Sequence, residues 1–434
     1  MLHPCYSLNS EGHLAVGGLD TLALAREYGT PVYLLDEDHI RMMCRMYKSA
    51  FAQYFGGNST PVYAGKALCI KRLYRIMAEE NMYADCVSSG EIYTAHAAGF
   101  PMENVYFHGN NKTDADLTYA VSLGVGHIVV DCHEELDALN RIAAEAGIRQ
   151  KILLRITPGI DPHTHQKIIT GNVDSKFGSA ITTGQAEKIV EAALQKEHLV
   201  LDGLHCHVGS QIFDIEPFAD AADIMIAFLA RMQAKFGVRI PVLNIGGGFG
   251  VRYTEQDPDI DYVANIRALG EKFDAQCARY GIEKPVILME PGRSIVAAAG
   301  VTLYTVGSVK EIPGFRNYVS VDGGMPDNPR YALYQSRYTI VNAAKAAETP
   351  DYACTVAGRC CESGDLIAEG AQMVKPARGD ILAVLVTGAY NYSMASNYNR
   401  IPRPPVVMIS GGKASLAVRR ETFADVAALD CDPE

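Results

Sequence analysis

The sequence has no excess of basic charge. Lys and Arg number 39 against 50 Asp and Glu, a formal net charge of −11, which excludes a surface built to neutralise nucleic-acid phosphates. It also has no apolar run long enough to cross a bilayer. The first residues, MLHPCYSLNSEGHLAVGG, lack the basic start and apolar core of a secretory leader, so a cytoplasmic location is expected. Eleven cysteines in 434 residues form neither a dense disulfide scaffold nor a CxxC pair with zinc spacing, and reduced thiols are expected. Low-complexity linkers and short repeats are absent too, so any domain boundary must come from a change of pattern. What remains is ordinary globular usage, 48% hydrophobic and 21% charged, at a length suited to a large α/β unit with a smaller companion. A small molecule is the expected partner.

Between Pro61 and Gly292 short apolar runs recur: PVYAGKA, MYADCVS, NVYFHG, HIVVD, KILLRI, LDGLHCHVG, PVLNIGGG and PVILMEPG. Continuous apolar strands, as opposed to alternating ones, are what a parallel sheet covered on both faces requires. The intervening stretches, such as HEELDALNRIAAEAG from His133 to Gly147, carry apolar residues at helical spacing and end on Gly. Eight such units predict a (β/α)8 barrel over residues 37–293. After Arg293 the pattern changes: TLYTVGSVKEI, NYVSVDGG, YACTVAG, DILAVLVTG and ASLAVRRE read as strands with little helix. Residues 294–434 are therefore expected to form a mostly β domain, joined by residues 1–36 through the early strand PVYLLD.

In a barrel the carboxyl ends of the strands face the site, and here those ends are chemically loaded. Lys66 closes the first run. A lysine at a strand end is by default a solvated surface group. Aimed into a low-dielectric barrel mouth, however, it would lose solvation of its charged form, which favours imine chemistry with a carbonyl. The sixth run ends LHCHVGSQ, where alternation puts His205 and His207 on one side. Such a pair is either core histidine with satisfied partners or two ligands of one zinc, though no third ligand is evident. HTH at His163–His165 reads as turn structure. The seventh run ends NIGGGFG, whose glycines let backbone N–H groups approach an anion. The eighth ends MEPGR, setting Glu290 and Arg293 beside it. An imine-forming lysine, an anion nest, an acid for a ring nitrogen and a nearby histidine together describe pyridoxal phosphate.

The order and spacing of VYAGKA, YADCVSSGE, HTHQKIITGNVDSKFG, LHCHVGSQ, IGGGFG, MEPGR, NPRYALY, CCESGD and GAY resemble the fold-type III pyridoxal-phosphate decarboxylases over essentially the whole chain. Within them, the likeness is to the branch acting on meso-diaminopimelate. The resemblance implies an alanine-racemase-like barrel and residue roles in this numbering. Lys66 holds pyridoxal 5'-phosphate as an imine. His207 stacks on its ring, with Ser210, Gly247 and Gly248 near its phosphate. Glu290 pairs with the pyridine nitrogen, and Asp85, Gly292, Arg293 and Tyr390 line the same pocket. Arg293, Arg330 and Tyr334 grip the distal carboxylate of the substrate and Glu362 its distal ammonium, while Tyr390 reaches both phosphate and substrate. Cys361 protonates the α-carbon after carbon dioxide leaves, while Cys360 packs. Cys361 and Glu362 would enter the neighbouring subunit's site, which makes a homodimer the functional unit. No metal is expected.

Two positions depart from the family pattern. Tyr331 stands where proline is usual and Pro326 where asparagine is common, and both sit in the segment that carries Arg330. Three rivals share parts of the pattern. A decarboxylase of another basic amino acid would keep the cofactor residues but has no use for Arg330. A racemase has no reason to carry CCESGD. A metal-dependent barrel hydrolase would rest on His205 and His207 alone.

Overall fold

The eight runs become eight parallel strands, in the order expected: β1 Val62–Ala64, β2 Tyr83–Cys86, β3 Val105–Phe107, β4 His127–Val130, β5 Gln150–Thr157, β6 Leu199–His205, β7 Val242–Asn244 and β8 Val286–Leu288. Each pairs with the next. The ring nearly closes through Val62 N donating to Met289 O at 2.9 Å and Ala64 N to Pro291 O at 3.2 Å. This computed structural model describes residues 3–160 and 174–431. His163–His165 and the rest of the HTHQKIITGN stretch lie outside the described residues.

Why these residues form a barrel is visible in its filling. Val62, Tyr106, Val129, Leu153, Val242 and Leu288, from six strands, pack into one buried cluster, the layered interior that makes such a barrel a core and not a pore. The helices between strands bury one stripe each. His133–Glu145 places Leu136, Leu139, Ile142 and Ala143 inward and stops at Ala146–Gly147, as its pattern predicted.

The chain divides into two compact units. Met43–Gly250 with Asp259–Gly292 contains the barrel, and Met1–Met42, Val251–Pro258 and Arg293–Glu434 form the other. Val251–Pro258 thus lies with the second unit, although the pattern of strands had placed it in the barrel.

In that second unit Val32–Asp36 pairs antiparallel with Gly300–Ile312 and parallel with Val406–Ser410, so the early strand sits inside a sheet of late residues. The sheet continues through Arg316–Val321, Tyr352–Ala357 and Leu366–Met373 on one side and Lys413–Val418 on the other. Ile381–Leu385 branches from Gly300–Ile312 and carries Ile340–Asn342. A small three-stranded sheet over Tyr6–Leu8, Leu14–Val16 and Leu19–Asp20 was not anticipated. Among the described residues no helix is long and apolar enough to cross a membrane.

Candidate active site

Lys66 lies in the tight turn Gly65–Ala67 immediately after β1. Its side chain is exposed, so the desolvation expected of it is not supplied by the described residues of its own chain. The turn is held against the end of the barrel by Gly292, where an added Cβ would lie 2.8 Å from Ala64 Cβ and 3.1 Å from Ala67 Cβ.

The strand ends converge on Glu290. Asn244, closing β7, donates through Nδ2 to Glu290 Oε1 at 2.8 Å. His205, closing β6, brings Nε2 to 3.1 Å from Oε1 and 3.3 Å from Oε2. His108, just past β3, sets its Nε2 3.0 Å from Oε1, at ion-pair distance without hydrogen-bond alignment. Burial alone would push the Glu290 carboxyl up, but the two imidazoles beside it hold it well below the usual carboxylate range. His205 is itself lowered to about 4 by burial, so it is neutral and serves Glu290 as an Nε2–H donor. Asp85, buried on β2, has Oδ1 3.9 Å from His108 Nε2. Burial raises its pKa against the pull of His108, and the Glu290 charge adds to the rise. Two carboxylates in one dry space are thereby driven apart in ionisation.

The metal alternative takes a different form from the one the sequence suggested. His205 does not pair with His207: the cluster that could hold an ion among the described residues is His108, His205 and Glu290. The strand ends at His205, which breaks the alternation on which the pairing rested. His207 instead packs beside the glycine run, with its Nδ1 2.7 Å from the position of a Cβ on Gly246. Burial, aided by the Lys66 and Arg155 charges, holds it well below its ordinary pKa.

That glycine run is a site of close backbone approach. A Cβ on Gly247 would lie 2.1 Å from Glu290 O, and one on Gly248 2.4 Å from Gly209 O. Ile212 N donates to Gly248 O at 2.9 Å and Gly250 N to Ile212 O at 2.8 Å, lacing the Ser210 loop to the run. Ser210, Gly247, Gly248, Glu290, Gly292 and the Lys66 turn are thus brought into one continuous rim.

In the second unit Arg293 is buried at the start of Arg293–Val296. Its Nη1 donates to Tyr253 Oη at 2.7 Å, and its guanidinium stands 4.7 Å from the Tyr390 ring centre. Arg330 opens the short helix Arg330–Tyr334 and is also buried, 5.3 Å from the Tyr390 ring and 5.1 Å from Tyr334. Its Nε has no hydrogen-bond partner among the described residues. Tyr390 holds this place with a φ of 60°, a left-handed conformation that a non-glycine residue adopts at a cost. Asp365 accepts from Met325 N at 2.6 Å and Cys360 N at 2.7 Å, tying the CCESGD loop to the segment leading to Arg330. In that loop Cys360 is half-buried and pushed up to about 12 by burial, whereas Cys361 and Glu362 are exposed.

Residues 37–297 match the family described as "Pyridoxal-dependent decarboxylase, pyridoxal binding domain". Diaminopimelate decarboxylase of Bacillus subtilis (strain 168) is 47% identical over 99% of this chain and 98% of its own length. That of Staphylococcus aureus (strain COL) is 41% identical over 96% of this chain and 97% of its own. The chain belongs to the diaminopimelate decarboxylase family. The crystal structure of the M. jannaschii diaminopimelate decarboxylase in co-complex with L-lysine superposes with a TM-score of 0.91 at 33% identity, covering 99% of this chain and 98% of that one.

Pyridoxal phosphate, the cofactor of the diaminopimelate decarboxylase family, fits the residues present. The fit rests on a buried carboxylate kept ionised at the barrel end, the backbone cradle at Gly246–Gly248 and the lysine beside them. Lys66, Ser210, His207, Asp85, Gly247, Gly248, Glu290 and Gly292 would hold it. Sequence reading missed His108, Asn244 and Arg155, a buried guanidinium on β5 that stands 4.1 Å from the Phe177 ring. The signal was available: each is a polar residue at or near the end of an apolar run, as in VYFH, VLN and LLRI.

Proposed function

We propose that this chain removes the D-centre carboxylate of meso-2,6-diaminopimelate, giving L-lysine and carbon dioxide, as a homodimer. Bound pyridoxal phosphate supplies an electron sink for the pair left when carbon dioxide departs. The chain's residues do the rest. Lys66 Nζ would carry the cofactor. Glu290, kept ionised, would hold a proton at the ring nitrogen, and His207 would lie against the ring. Backbone N–H groups of the glycine run, with Ser210 and Tyr390, receive the phosphate. Arg330, with Arg293 and Tyr334, binds the distal carboxylate, because a planar guanidinium suits a bidentate partner. Cys361 of the other subunit gives a proton to the α-carbon, and Glu362 beside it holds the distal ammonium. Exposure of both residues is consistent with service across an interface.

The observation that carries the substrate assignment is Arg330: a buried guanidinium on two tyrosine rings with no carboxylate at ion-pair distance among the described residues. The test is carbon dioxide release by the cofactor-loaded protein from meso-diaminopimelate, with LL-diaminopimelate, ornithine and arginine in parallel. Release from the meso isomer alone is expected, and release from ornithine instead would overturn the Arg330 assignment. Mixing inactive Lys66→Ala and Cys361→Ala chains tests the shared site. Hybrid dimers should regain activity, and no regain would place Cys361 in its own subunit's site.

A further inference from the structure

Glu290 is held by residues from three different strand ends. Asn244 closes β7 and donates to Oε1 at 2.8 Å, His108 follows β3 and stands 3.0 Å from Oε1 at ion-pair distance, and His205 closes β6 and hydrogen-bonds Oε2 at 3.3 Å with Oε1 at 3.1 Å. Asn244 is fixed in turn, since its Oδ1 accepts from Gly246 N at 2.9 Å. We propose that His108, His205 and Asn244 are positioning residues that fix the plane of the Glu290 carboxylate from both of its oxygens and so aim it at the ring N–H of the cofactor.

Two physical needs are met by this arrangement. A carboxyl in a buried site drifts to its neutral form, which accepts a ring proton poorly, and donors from the protein counter that drift. A carboxylate also rotates about its terminal bond, a broad torsion. Holding Oε1 from Asn244 and Oε2 from His205 fixes the plane of the carboxylate by the barrel itself, independently of the loop that carries Glu290. His205 is the centre of the set, because its Nε2 touches both oxygens. A zinc-like ion on His108, His205 and Glu290 would compete with this use, since Oε1 already receives Asn244.

The inference rests on the pyridoxal-phosphate reading above, and the test separates the two. Apoprotein affinity is measured for pyridoxal phosphate and for its 1-deaza analogue, in which carbon replaces the ring nitrogen. Wild type should favour the natural cofactor by about tenfold or more, the worth of one charge-assisted hydrogen bond. His205→Leu and Asn244→Asp should erase most of that preference while binding the analogue nearly as well as wild type, and His205→Gln, which keeps an N–H donor, should restore it. His127→Gln is the control: His127 pairs with Asp202 at 2.8 Å at the far end of β4, and its loss should leave the preference intact. If His205→Leu does not fold, His205→Gln and Asn244→Asp still decide the matter, because the first should keep the preference and the second lose it. Variants that weaken both ligands equally would reduce the three residues to structural support and overturn the inference alone. Wild type that binds no pyridoxal phosphate would overturn the cofactor reading and this inference with it.

Discussion

Glu290 in the barrel and Arg330 in the second unit are equally buried, each with 7% of its surface exposed, yet their charges are met in different ways. Glu290 has two nitrogens of histidine and one of asparagine around its carboxylate. Arg330 has aromatic faces. A desolvated cation–π contact is worth about 2 kcal/mol, whereas removing a guanidinium from water costs several kcal/mol. The barrel charge is therefore settled within the protein, and the arginine charge is left short by an amount that an arriving carboxylate makes good. A group that must hold one cofactor through many turnovers is built in the first way; a group that must capture and release substrate is built in the second.

Loss of Lys66 would test that contrast most severely. Lys66→Ala should lower kcat by about a thousandfold or more, read as carbon dioxide release, and retained turnover would remove the barrel from the chemistry. Arg330→Ala should act on capture instead, raising KM for meso-diaminopimelate by about tenfold to a hundredfold with a smaller change in kcat. A fall in kcat at constant KM would mean that Arg330 is settled like Glu290, and the contrast would fail.

Acid offers a subtler discrimination, since the two units contain buried groups of opposite sense. His205 is depressed to about 4 from an ordinary 6.5, so the unfolded chain takes up its proton first. Its contribution to stability is present above pH 6.5 and is lost as pH falls toward 4. Asp327, raised to about 7 by burial in the second unit, is already protonated when folded, and its contribution grows as pH falls from 7 toward 3.8. Between pH 7 and pH 5, His205→Gln should remove about 2 kcal/mol of acid loss from the barrel, and Asp327→Asn about 2 kcal/mol of acid gain from the second unit. Opening free energies from hydrogen exchange at slow amides of each unit would measure both. Equal responses in the two units would erase the distinction.

The smallest effect is expected at Tyr331, one of the two departures from the family pattern. Its hydroxyl donates to Glu369, which also pairs with Arg316 at 2.6 Å. Tyr331→Phe should change stability by less than about 1 kcal/mol, with KM unchanged, as thermal melts and steady-state kinetics would read. A KM shift as large as that of Arg330→Ala would make Tyr331 part of the grip.

The barrel was legible because strands buried on both faces must be apolar throughout, and eight such runs leave little choice of architecture. The rim was legible where the required residue type is rare in its setting, as with three successive glycines or a lysine after VYA. His108 and Asn244 were not, since a single polar residue at the end of an apolar run is equally consistent with a turn. The second unit's sheet was read in part. Leu366–Met373, LIAEGAQM, mixes polarity as an edge strand does. Val406–Ser410 follows IPRPP, whose prolines suggest a connection before a strand, yet it lies beside Val32–Asp36 inside the sheet.

That last pairing has a consequence for synthesis. Val32–Asp36 leaves the ribosome among the first segments made, but its two neighbours, Gly300–Ile312 and Val406–Ser410, come some hundreds of residues later. Through most of translation VYLLD is an apolar strand with both edges open, the state in which chains pair with the wrong partner. The barrel can assemble in sequence as each strand arrives, whereas the second unit must wait for nearly the whole chain. Its completion is thereby a late checkpoint on nascent molecules, and premature termination before Val406 would leave a finished barrel attached to an aggregation-prone edge.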